Sequence, residues 1–268
     1  MKLEDGKKLK VFQTLLELQE NQMFHLRFGP LDLYLTKNDI ELVIRWSTSN
    51  NWLDSSFHYD LPYEGLMPEN LLTTQRVAFS RKISNLRVIP CLGEKPFVAH
   101  PFDRLDLLPG EKTKVFMSTP MSVQIIDTGE GEVLAEIPVF QRPLTWFGEN
   151  TIRGEVCFFT NINAALSEED LPFRPHRAMT HLHISNRSNA VIPIERLKIP
   201  VQFLSLFQKE NGRFVTSSID MDCDNKGRVR KLEVRRPRTN VKSLTAIAPP
   251  RKRESRLLLP KTVSELMR

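Results

Sequence analysis

The stretch that decides the fold is EVLAEIPVFQRPLTWFGENTIRGEVCFF (residues 132–159) followed, after a polar segment, by RAMTHLHISNRSNAVIPIERLKIPVQFLSLF (residues 177–207). Apolar and polar residues alternate in short runs, and Pro, Gly and Asn close each run. A period of two puts one set of side chains on one face, so the runs read as strands with one buried side. Short strands with turn signals about every 8–12 residues point to a mostly-β protein of antiparallel, β-sandwich-like sheets.

The same grammar continues outward. Upstream, Leu31, Leu33 and Leu35 alternate with polar residues, Lys37-Asn38-Asp39 offers a turn, and Ile40, Leu42, Ile44 and Trp46 resume the alternation. This predicts a hairpin with one apolar face, and each such side chain contributes about 1.5–3 kcal/mol when fully buried. Residues 47–72 are polar and irregular, with Pro62, Gly65 and Pro68, and read as a long connection of the kind that often carries function. Between Lys7 and Glu20, Leu9, Phe12, Leu15, Leu16 and Gln19 have helical spacing and predict one short N-terminal helix, although Val11 and Leu18 suit a strand. Pro120 cannot donate to a ladder and marks a strand end, bulge or edge. Downstream, Asn211-Gly212 between Phe207 and Phe214 is the strongest hairpin signal.

A chain of 268 residues accommodates one large β domain or two smaller ones. The pattern is read as a β-rich N-terminal half over residues 1–100 and a β-sandwich-like half over 101–242. Residues 243–268 are expected to form a basic, flexible tail with a short helix at Thr262–Met267. The net charge of +6 is unevenly placed. Gly227–Arg256 holds eleven lysines and arginines against Glu233 and Glu254, while residues 1–226 carry 25 cations and 29 anions. Arg228, Arg230, Lys231, Arg235, Arg236, Arg238, Arg251, Lys252 and Arg253 are therefore candidate anion-binding residues. Their partner would be an acidic protein, nucleic acid or an anionic membrane surface. With no aromatic residue interleaved, stacking on single strands is unsupported.

The N-terminus, MKLEDGKKLKVF, lacks the apolar run of a signal peptide, and no stretch approaches the roughly 18 uncharged apolar residues of a membrane span. Cys91, Cys157 and Cys223 are odd in number and widely spaced, which suits reduced thiols and a cytoplasmic location. Phosphate-binding glycine loops, the GxSxG elbow and HExxH are absent, so the balance leans away from an enzyme.

Two constellations carry possible chemistry. His176, His181 and His183 are the candidate metal ligands, since imidazoles two apart on a strand share a face, and a divalent metal is the one cofactor they suggest. Histidines hydrogen-bonded on a strand are the plainer reading. Trp146, in Trp146-Phe147-Gly148, is either a packed corner or a platform for stacking a ligand. The acidic run from Asp220 to Gly227 looks like a calcium loop, but Lys231 falls where the bidentate Glu belongs, so it reads as an acidic turn whose charge pairs with nearby arginines.

The succession Glu136–Pro138, Thr145–Gly148, Gly154-Glu155, Asn186–Ser188 and Glu195–Val201 resembles the prokaryotic domain-of-unknown-function family 432. The resemblance implies no established activity and no catalytic residue. The expected function is a non-enzymatic module that binds a partner or ligand. The alternatives are a metal-binding protein or metal-dependent enzyme using the histidines, and a nucleic-acid-associated protein using the basic region.

Overall fold

Phe24, Leu26 and Phe28 alternate with His25 and Arg27, and Leu31, Leu33 and Leu35 with Asp32 and Tyr34, so one face of each strand is fully apolar. The structure, a computed structural model, describes residues 12, 14–68, 73–81, 83, 85–148, 154–162, 164–224, 229–237, 244–252 and 257–258. The first sheet contains β1 (Met23–Phe28), β2 (Leu31–Lys37), β3 (Glu41–Thr48), β4 (Phe57–Asp60) and β5 (Thr73–Ala78). Its order is β4-β1-β2-β3-β5, antiparallel throughout. The predicted hairpin is β2–β3, with Leu42 and Ile44 buried and Ile40 exposed in the turn.

The chain continues through β6 (Leu86–Leu92), β7 (Phe97–Pro101), β8 (Leu105–Leu107), β9 (Lys112–Asp127), β10 (Val133–Pro138) and β11 (Leu144–Phe147). Next come β12 (Glu155–Ile162), β13 (Ala164–Ala165), β14 (Arg177–Asn186), β15 (Ile192–Ile194) and β16 (Leu197–Ile199). After a 3-10 turn at Val201–Phe203 follow β17 (Leu206–Lys209), β18 (Phe214–Thr216), β19 (Ser218–Cys223), β20 (Val229–Arg235), β21 (Leu244–Ala248) and β22 (Leu257–Leu258). The fold is mostly β, as the alternation predicts. Its largest sheet has eleven strands and is built around β9, with a four-stranded sheet β11-β12-β7-β16 and the pair β15-β8 beside it. Parallel pairs occur at β12–β7, β14–β18 and β14–β19, so the eleven- and four-stranded sheets are mixed, whereas the first sheet is purely antiparallel.

Three local expectations change. Residues 14–20 are not helical: Leu16 forms a bridge with Leu86 through two backbone hydrogen bonds of 2.7 and 3.1 Å. Burial of Leu16 and Leu18, with Leu15 exposed, follows a period of two, while residues 1–11 and 13 lie outside the described residues. Pro120 does not end its strand, because β9 runs through it and changes partner there. Residues 47–72 contain β4, paired with β1.

Sheet boundaries do not fall at residue 100. Strands β6 and β7 pair with β9, β12 and β16, all later in the chain. One hydrophobic cluster runs from Phe12 to Leu232 and includes side chains of the first sheet and of β14, β19 and β20. Phe12 joins the layers: its ring lies 5.2 Å from Phe28, 5.6 Å from Phe57 and 6.0 Å from Phe214. Within the expected tail, Leu244–Ala248 forms β21 against β17. Arg251 is held there too, donating to Leu92 O at 2.6 and 2.8 Å and pairing with Glu136 at 2.6 Å. The helix expected at Thr262–Met267 lies outside the described residues. Among the described residues no helix is long and apolar enough to cross a membrane.

Replacing Phe28, which has no exposed surface, by Ala is expected to cost about 3–5 kcal/mol through lost transfer energy and a residual cavity. Urea unfolding followed by circular dichroism and tryptophan fluorescence checks this. Because the layers share one core, the two probes should report a single coincident transition.

Candidate functional site

In β14, Leu182, Ile184 and Asn186 are buried, and His181, His183 and Ser185 occupy the opposite, partly exposed face. Neighbouring strands continue that face. His183 stands opposite Lys114 of β9 and Asp220 of β19, and Asp220 opposite Glu233 of β20. One step along, Ser185 stands opposite Lys112 and Asp222, and Asp222 opposite Lys231. These two rows floor a groove of about 440 Å³, which Arg187 and Arg235 also line.

The carboxylates of this groove are engaged. Asp220 accepts from His183 Nδ1 at 3.0 Å through one oxygen and from Arg235 Nε at 2.7 Å through the other. Asp222 pairs with Arg187 at 2.9 Å. Glu233 pairs with Lys231 and Arg235, both at 2.6 Å, and these hydrogen bonds hold its carboxyl below the usual range. Partly exposed pairs of this kind add little stability each, so their effect is to fix side-chain positions. Lys112 and Lys114 are exposed and make no ion pair among the described residues. The groove therefore presents two free ammonium groups beside an ordered array of charges.

Arg187 is placed by its neighbours. The buried Asn186 side chain donates to Leu107 O, Leu108 O and Ala190 O at 2.9, 3.0 and 2.8 Å, and its oxygen accepts from Ser188 N at 2.8 Å. Ser188 Oγ donates to Ala190 O at 2.8 Å. Two inward side chains thus tie the turn while Arg187 points to the groove.

The sequence candidates separate in space. Among the described residues, the three-residue group whose ligand atoms converge is His25, His58 and Asp60, not His176, His181 and His183. His176, just before β14, is buried beneath Gly29, where a Cβ would sit 2.3 Å from its Nδ1. Gly29 turns the chain between β1 and β2 at φ 56°, so its lack of a side chain serves both the turn and this contact. His181 packs edge-on against Phe116 at 4.8 Å, and His183 is bound to Asp220. Trp146 is packed over Gly154, where a Cβ would lie 2.0 Å from the indole nitrogen. Of the basic candidates, Lys231 and Arg235 line the groove, and Arg230, Arg236 and Lys252 are exposed. Arg251 is committed to Glu136 and Leu92, so it is not a free anion binder. Arg228, Arg238 and Arg253 lie outside the described residues, as do residues 225–227 of the acidic run. Lys112, Lys114 and Arg187 escaped the sequence reading, although Lys112 and Lys114 alternate with the apolar side of β9.

A smaller cavity of about 220 Å³ is bounded in part by Trp52, Phe140 and Phe159. Close by, the buried Arg177 donates to Ser118 O at 3.1 Å and lies 5.7 Å from the Trp52 ring and 5.5 Å from that of Phe140. Burial, with Arg174 and Arg142 nearby, pushes its guanidinium down to about 9.

Residues 12–268 match the family described as "Protein of unknown function (DUF432)". The chain belongs to this family. No curated protein and no solved structure matches it. In this DUF432 protein, Asn186 and Ser188 close a turn, Glu136 holds Arg251 and Gly154 seats Trp146. Several of the motif residues behind the resemblance thus hold local structure, Trp146 keeps 41% of its surface exposed, and Arg187 reaches the groove.

Burial pushes His176 down to about 3 and His181 to about 4, both below the ordinary 6.5. The unfolded chain then takes up protons that the folded chain refuses, so this stability is complete above pH 6.5 and lost as pH falls toward 4 and 3. From pH 7 to 5 each imidazole should cost about 2 kcal/mol. Urea unfolding at pH 7, 6 and 5 should show that loss, and His176→Asn with His181→Asn should flatten it.

Proposed function

We propose that this DUF432 protein is a non-enzymatic binding module, and that the groove over β9, β14, β19 and β20 takes a small anionic ligand. The observation that carries this reading is the pairing pattern of the groove. Asp220, Asp222 and Glu233 are each engaged by cations, whereas Lys112 and Lys114 stand free at one side. An anion that meets both ammonium groups gains charge-assisted hydrogen bonds without displacing an existing pair. The volume of about 440 Å³ suits a small molecule. The carboxylates at the far side would accept from a hydroxyl or amine on the same ligand, giving it one orientation. His183, fixed by Asp220, belongs in this reading to the wall of the groove rather than to a metal centre.

Thermal unfolding with inorganic phosphate, pyrophosphate or citrate as probe tests the proposal. At about a hundredfold excess over Kd, a bound probe should raise Tm by roughly 5–10 °C, and the shift should shrink with added salt. Lys112→Glu with Lys114→Glu should remove it while leaving the unliganded Tm nearly unchanged. No shift with any probe, or an equal shift in the double variant, would refute the assignment.

A further inference from the structure

The polar connection between β3 and β5 holds a short strand whose outward residues meet a buried histidine. In β4, Phe57 and Tyr59 turn to the core side and His58 and Asp60 are exposed. The antiparallel register sets His25 of β1 directly opposite Asp60, and Arg27 opposite His58. His25 and Asp60 are thus cross-strand partners, and His58 reaches the same spot from two residues away. One ligand atom from each of His25, His58 and Asp60 lies within 4.8 Å of the other two.

The His25 ring is prepared for coordination. It is 5% exposed, stacked on Tyr34 at 4.5 Å, and flanked by Tyr63 at 4.7 Å and the edge of His58 at 5.2 Å. Its Nε2 lies 3.1 Å from Asp32 Oδ1. Asp32 is paired with Arg27, which is itself bonded to Asp54 at 2.6 Å. A carboxylate on one ring nitrogen fixes the proton there and leaves the other nitrogen with a lone pair. That other nitrogen, Nδ1, is buried and has no hydrogen-bond partner among the described residues. A buried imidazole with one unpartnered nitrogen, grouped with a second imidazole and a carboxylate, is an arrangement that a cation completes.

We propose that His25, His58 and Asp60 bind one divalent transition-metal ion on the outer face of the first sheet, with Asp32 as the positioning carboxylate behind His25. Two imidazoles and one carboxylate suit zinc or its first-row neighbours rather than calcium or magnesium, which favour all-oxygen ligand sets. Three protein ligands leave a coordination position open to water or an anion. The site is built on different strands from the groove and does not depend on the function proposed there.

The test uses the untagged full chain, stripped with chelator and titrated with Co²⁺, whose visible absorption reports imidazole and carboxylate coordination, followed by competition with Zn²⁺. The wild type should bind a single Co²⁺ per chain. His58→Ala and Asp60→Asn, both at exposed positions, should keep the wild-type circular dichroism and lose at least tenfold in affinity. Asp32→Asn should weaken binding by about 10–100-fold and shift the absorption bands. His183→Ala, in the groove, should bind as the wild type does. Absence of saturable Co²⁺ binding, or unchanged binding in the His58→Ala, Asp60→Asn double variant, overturns the proposal.

Discussion

The architecture depends on one strand that serves two ladders in turn. Proline at residue 120 has no amide hydrogen to give, and it is there that β9 changes partner. The ladder with β14 closes at the pair Pro120–Arg177, and the ladder with β6 opens at Met121–Leu92. A buried chain of hydroxyls sits beside the exchange, with Thr180 2.5 Å from Thr119 and accepting from Thr216 at 2.9 Å. These bonds satisfy polar groups that would otherwise be costly to bury, and they tie β9, β14 and β18 together. The first half of β9 then presents Lys112 and Lys114 to the groove, while the second half carries β6 and β10.

The main apolar cluster spans the first sheet and the largest one, and the two arrays of charged side chains described above lie on the outer faces of those sheets. On both faces a carboxylate fixes a histidine: Asp220 holds His183 and Asp32 holds His25. An arginine backs each carboxylate, Arg235 in one case and Arg27 in the other. For Asp32, burial works against ionisation, yet the hydrogen bond from His25 and the charge of Arg27 outweigh it and keep the carboxyl below its usual range. Side chains carried on paired strands hold their geometry better than those on free loops, and that favours recognition on both surfaces.

The periodicity of residues 31–46 and 177–186 made the principal strands legible, because alternation there is long and bounded by turn residues. The hairpin at Asn211-Gly212 was equally readable, and β17 and β18 pair around it. What stayed hidden is non-local. Nothing in residues 86–101 tells that β6 and β7 pair with strands farther along the chain. Likewise β4 spans only Phe57–Asp60, too short a run to rise above the polar stretch around it, and it carries His58 and Asp60. The charged groove was visible in part, through His183, Lys231 and Arg235, but the cations on β9 and in the Asn186–Ser188 turn come together only through register. His176 looked like a ligand by spacing, whereas its neighbour across the fold is Gly29.

The segment around β21 and Arg251 bears on how the chain reaches its final form. Strand β17 has β18 on one side and β21 on the other, and Arg251 reaches back to Leu92 and Glu136 from far along the sequence. During synthesis, residues up to 243 emerge while that side of β17 still shows unpaired amides and carbonyls. Such an edge is open to pairing with another nascent chain. Pairing that side of β17 needs only the short run Leu244–Ala248, and the edge then passes to β21, whose residues are all partly or fully exposed. A basic region that looks like an appendage thus supplies, in part, the end strand of the largest sheet, with Arg251 fastening it to Leu92 and Glu136.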